Sequence, residues 1–113
     1  MKTQLYFKKE IDGILAEIKV SKTSKDIRRL KLRLPLLRVC KMYVETNPSE
    51  EFIKKEIGRL TNRIDAFMKT YVPLDETRFT LAVLKKHKKD FEKEMDMPKL
   101  KKQISALKFI IKD

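Results

Sequence analysis

Apolar residues recur three and four positions apart over most of this chain, the spacing that lays one stripe along one side of a helix. Phe7, Ile11, Ile14, Leu15 and Ile18 form the first stripe and predict a helix over 2–20. Gly13 lies inside it, at a cost of about 1 kcal/mol relative to alanine. Ser21 to Ser24 is a polar break that offers Thr23 or Ser24 as the next N-cap, with Asp26 in the first turn. Ile27, Leu30 and Leu34 then share a side, until Pro35 removes a backbone donor and crowds the preceding turn. Beyond it Leu36, Cys40, Tyr43 and Val44 are the apolar set, and on a continuous helix their centre lies roughly a quarter turn away. A kink or break at Pro35 accounts for that shift. One central helix buried on two sides is the alternative.

The pattern then resumes. Asn47-Pro48-Ser49-Glu50 supplies an N-cap, a proline at the first helical position and an acid three residues after the cap. Phe52, Ile53, Ile57, Leu60, Ile64, Phe67, Met68 and Tyr71 follow as the longest stripe, the expected spine of the core. Gly58 within it marks an expected close approach of another helix. Val72 to Asp75 ends this helix and caps a fourth that runs to about 96, with Phe79, Val83, Leu84, Phe91 and Met95 inward. Met97-Pro98 opens a fifth, with Leu100, Ile104, Leu107 and Ile111 inward. No strand pattern, internal repeat or low-complexity tract interrupts the series. The expected fold is all-α: one domain over 1–113, a compact bundle of five to six helices with a kink or break at Pro35.

Composition agrees with a small helical protein whose helices carry wide solvated faces. Of 113 residues 39% are charged, and only two are glycine and four proline, too few for a chain of tight β-turns. The single cysteine, Cys40, has no internal partner. It lies in an apolar turn and reads as a buried structural residue in a reducing setting. The N-terminal stretch carries charges within its apolar pattern and does not resemble a signal peptide, and no apolar run reaches the ~18 residues of a membrane span. A cytoplasmic location, or one within a phage-infected cell, is the expectation, with no membrane partner.

Charge changes the picture most. The formal net charge is +12 and uneven: residues 1–46 hold 12 basic and 5 acidic residues, 47–72 hold 5 and 4, and 73–113 hold 11 and 7. Lys22, Lys25, Arg28, Arg29, Lys31 and Arg33 lie within twelve positions, opposed only by Asp26. On a helix, Lys22, Lys25, Arg29 and Arg33 make a nearly continuous cationic stripe that can reach successive phosphates and release counterions. Arginine adds a bidentate fork that lysine lacks. A solvated face, or contact with acidic patches on a protein, is the plainer explanation. Lys85, Lys86 and Lys89 form a second cluster around His87, partly neutralised by Asp90, Glu92 and Glu94. No zinc-finger spacing, helix-turn-helix turn or aromatic RNA-binding signature accompanies them, so binding to DNA or RNA is expected to be non-specific.

Catalysis finds no support in the sequence. The two glycines stand 45 positions apart, so no glycine-rich phosphate loop exists. His87, Asp90 and Glu94 could share a helical face, but bundle metal centres need ligands from several helices. His87 reads instead as a core-edge residue between Val83 and Phe91. No enzyme activity, metal or cofactor is expected. Tyr6, Leu32, Val39, Met42 and Tyr43 are apolar residues in excess of one small core, which points to a protein-binding face or to a centrally buried second helix. The leading expectation is a non-catalytic nucleic-acid-associated module. The alternative is a structural or adaptor subunit of a larger assembly, such as a phage particle, with a protein partner or a homo-oligomer.

Overall fold

The structure, a computed structural model, describes residues 1–112. It is all-helical: α1 (Gln4–Val20), α2 (Ser24–Val44), α3 (Glu50–Lys69), α4 (Leu81–Glu94) and α5 (Met97–Ile111). Hydroxyl side chains start four of the five. Thr3, Thr23, Ser49 and Thr80 accept from the backbone N–H groups of Tyr6, Asp26, Phe52 and Val83, satisfying donors that a helix start leaves without partners. The cap of α3 is thus Ser49, and not Asn47. Asn47 takes a left-handed conformation, φ 50°, in the link that follows α2. Asp96, at φ 53°, makes the tight reversal between α4 and α5. Asparagine and aspartate tolerate that region best among residues with a side chain.

α2 corrects the expectation of a break, because the helix runs without interruption through Pro35. Its buried residues are Leu30, Leu34, Leu37, Cys40 and Val44, spaced four, three, three and four apart, which is one stripe on one side. The apparent shift of face came from assigning Leu36 to the core in place of Leu37. Leu36 is 37% exposed and Leu37 is buried.

α1 and α2 pack together as a hairpin, and α2, α3 and α4 each pack on α5. The hub is therefore α5, and not α3 as the length of its stripe suggests. Met97, Leu100, Ala106, Leu107 and Ile110 of α5 are buried, whereas α3 buries only Ile53 and Leu60 and leaves Phe52 half exposed. The reason is geometric: α3 leans on one neighbour, so one line of its apolar stripe is covered. Among the described residues nothing approaches Gly58, where an added Cβ would meet no atom within 4 Å. α4 begins at Leu81, later than expected, because Asp75 turns its carboxylate onto the backbone and hydroxyl of Thr77 and Thr80 supplies the cap. No residue of α4 is buried, and Phe79 and Val83 are exposed.

The helices do not close into the expected compact bundle. The radius of gyration is 18.3 Å, against about 13 Å for a compact chain of this length. The body measures 53 × 41 × 21 Å, a slab one to two helices thick. Its accessible surface is 8731 Å², about a third above the ~6,500 Å² of a folded monomer of this mass. One contiguous core nevertheless joins α1, α2, α3 and α5, with Phe7, Cys40, Ile53, Leu107 and Ile110 at its centre. The chain's start is fastened to its end. Lys2 donates its backbone N–H to Ile110 O at 2.8 Å, and its ammonium reaches the carbonyls of Phe109 and Lys112 over the Phe109 ring. A cation there answers the partial negative charge of the α5 C-terminus.

Candidate nucleic-acid interface

The core stripe of α2 decides where its charges go. With Leu30, Leu34 and Leu37 turned inward, Lys25, Arg28 and Lys31 fall on the outer side and Arg29 on its flank, while Arg33 lies nearer the core stripe and edges a depression with Tyr6 and Glu10 of α1. All of these, and Lys22 in the preceding link, are exposed. Among the described residues the only carboxylate within 4 Å of any of them is Asp26, at 3.9 Å from Arg29. Both partners of that pair are well exposed, so solvent screens it and it leaves most of the guanidinium's charge available. Leu32 emerges in the middle of this cationic face and is 74% exposed.

Lys85, Lys86 and Lys89 are likewise exposed, on α4. α2 and α4 pack on α5 and not on each other, so no direct contact joins the two basic clusters. Lys85 and Lys88 edge a shallow depression of about 260 Å³ with Tyr71, Leu74, Leu81 and Leu84. His87 is half-buried beside it. Its Nδ1 lies 3.1 Å from the Tyr71 hydroxyl, and the Tyr71 ring also packs on Phe91. This hydrogen bond ties the segment after α3 to α4. Among the described residues no three His, Cys, Asp or Glu side chains gather in a way that could hold a metal, and no helix is long and apolar enough to cross a membrane.

Cys40 is wholly buried between α2 and α5, with Sγ 3.4 Å from the Ala106 carbonyl. Burial pushes its thiol up to about 11, which removes the thiolate a nucleophile needs. The strongest ion pair lies elsewhere. Arg59 grips Glu56 through Nε and Nη2 at 3.1 and 2.9 Å, and this hydrogen bonding holds the Glu56 carboxyl below its usual range. It bears on α3 and leaves the α2 face untouched.

One feature near the cationic face was only half legible in the sequence. Leu32, Pro35, Leu36 and Val39 of α2 form one wall of a groove of about 450 Å³, and Lys101, Lys102 and Ser105 of α5 form the other. Leu32 and Val39 stand out as surplus apolar residues in the sequence, but Lys101 and Lys102 give no such signal. Only the packing of α5 on α2 brings them to the rim. Of the other surplus residues, Tyr6 and Met42 are exposed, while Val39 and Tyr43 pack partly against the core.

No known protein family, curated protein or solved structure matches this chain.

Proposed function

We propose that this chain is a non-catalytic, cationic helical module that associates with nucleic acid through the phosphate backbone, without strong sequence preference. The observation that carries the reading is the cationic surface of α2: Lys25, Arg28, Arg29 and Arg33 are all exposed, and among the described residues only Asp26 brings a carboxylate within 4 Å of any of them. Lys22 and Lys31 extend the face, and Lys85, Lys86 and Lys89 of α4 provide a separate, weaker one. Phosphate contacts hold a protein on the duplex without reading bases, and no recognition helix or aromatic platform accompanies them here. A bend at Pro35 belongs to the same proposal, since it would angle the cationic half of α2 against its apolar half. The proposed setting is the cytoplasm or a phage-infected cell.

Fluorescence anisotropy with labelled duplex DNA, single-stranded DNA and RNA tests it. Three to four neutralised phosphates give a log–log salt slope of about −2.7 to −3.6, so affinity falls about 40- to 150-fold between 50 and 200 mM salt. R28A/R29A/R33A brings the slope towards about −1 and weakens all three nucleic acids alike. Unchanged affinity in that variant would sink the assignment.

A second reading is a structural or adaptor subunit of a larger assembly, such as a phage particle. The surface excess favours it: a monomer with a third more surface than its mass requires has faces to bury elsewhere. Failure to bind any of the three nucleic acids at low salt, with a large stable oligomer or an obligate protein partner on purification, would replace the first reading with this one.

A further inference from the structure

The groove between α2 and α5 has a lining that phosphate binding does not use. Leu32, Leu36 and Val39 repeat at four and three residues outside the buried stripe of α2, with Val39 packing partly against the core, so they form a second apolar stripe on the same helix. Leu32 is 74% and Leu36 37% exposed. Across from them stand Lys101 and Lys102, both exposed and neither within 4 Å of a carboxylate among the described residues. Among the described residues no acidic side chain lines the groove.

We infer that this groove is a docking site for an acidic amphipathic helix of a partner protein. Shape, apolarity and charge each exclude other occupants. A trough between two packed helices accepts the ridge of a third, with side chains at i, i+3 or i+4 and i+7 entering it. Leu32 to Val39 covers about 10 Å of helix axis, so the occupant needs two to three turns. A bilayer would cover the protruding leucine and leave the trough beneath it empty. Nucleobases need aromatic platforms, and the lining is aliphatic. A second copy of this chain carries +12 and would bring cations against cations. An acidic helix matches instead: its leucines fill the trough and its carboxylates meet Lys101 and Lys102 at the rim.

The probe is a fluorescein-labelled helical peptide of about fifteen residues, with leucines at i, i+4, i+7 and i+11 and glutamates on its flanks. A scrambled peptide of identical composition is the control. The expected result is micromolar binding to the full chain, at least about tenfold tighter than the scrambled peptide. L32Q/L36Q, neutral replacements of surface leucines, should weaken it about tenfold or more. K101E/K102E keeps the apolar wall and should weaken the peptide several-fold at about 50 mM salt, less at about 500 mM. It also decides the matter if L32Q/L36Q loses its helical circular dichroism. Equal binding of both peptides, or indifference to both variants, overturns the proposal, whatever the DNA titration gives. So does concentration-dependent dimerisation abolished by L32Q/L36Q, which would assign the groove to a second copy. Tighter binding to phosphatidylglycerol vesicles than to the peptide, lost in L32Q/L36Q, would assign it to a membrane surface.

Discussion

Pro35→Ala should stabilise this protein, although Pro35 lines the groove between α2 and α5. α2 continues for eleven residues before Pro35 and nine after it, so position 35 is a helix interior. There the pyrrolidine lacks the N–H that would donate to the carbonyl of Lys31, and its ring crowds that same carbonyl. Alanine is about 3 kcal/mol more favourable than proline at such a position. The alanine variant also has a looser unfolded chain, which takes back about 0.4–1 kcal/mol. Pro35 is exposed, so little buried contact is lost. The net expectation is about 2 kcal/mol of added stability. With a urea dependence of about 1–3 kcal/mol per molar, the midpoint should rise by about 1 M at unchanged slope. A midpoint that stays level or falls would refute the reasoning. It would mean that the packing of α1 and α5 on α2 requires a bend that only proline maintains.

Three further outcomes follow from the packing. Cys40 should be inert to a thiol-specific disulfide reagent in the folded protein and react only on unfolding. Its proton is held to about 11 when folded, against 9.0 unfolded, so stability is full below the lower value and falls as pH rises between the two. The loss is about 2–3 kcal/mol, and urea midpoints at pH 8 and 10.5 should diverge in the native sequence more than in C40A. Equal divergence would show that the thiol is not the cause. Backbone amides of α4 should exchange with deuterium sooner than those of the other helices, because none of its residues is buried and its start rests on one Thr80 cap. Protection of α4 equal to that of α5 would contradict this. Phe7→Ala should cost about 3–5 kcal/mol by thermal or urea unfolding. Phe7 has no exposed surface and its ring lies 6.0 Å from that of Phe109, where the chain's two ends meet. A loss below 1 kcal/mol would mean that this junction is already loose.

Much of the local structure was legible because it depends on near neighbours in the chain. The all-helical class, the start of α2 at Thr23 or Ser24, of which Thr23 is the cap, and the opening of α5 at Met97 follow from spacing and capping within a few residues. The exposure of Lys22, Lys25, Arg28, Arg29, Lys31 and Arg33 followed too, since charges that dense cannot be buried without partners. Errors appeared where two local solutions were nearly equal. Asn47 and Ser49 both suit an N-cap, and the choice went to Ser49 because Asn47 was needed for the left-handed turn. Leu36 and Leu37 are adjacent, and periodicity alone does not say which faces inward.

What the sequence determined by itself was an all-helical chain of amphipathic segments, with the densest positive charge on the second. Which helix stands at the centre was decided only by tertiary packing. α3 has the longest apolar stripe, yet α5 became the hub, because burial depends on how many neighbours a helix meets and not on how apolar it is. The openness of the slab, the exposed Leu32 and the meeting of Leu36 with Lys101 across the groove belong to the same level. They arise from contacts between residues more than sixty positions apart, which no local period encodes.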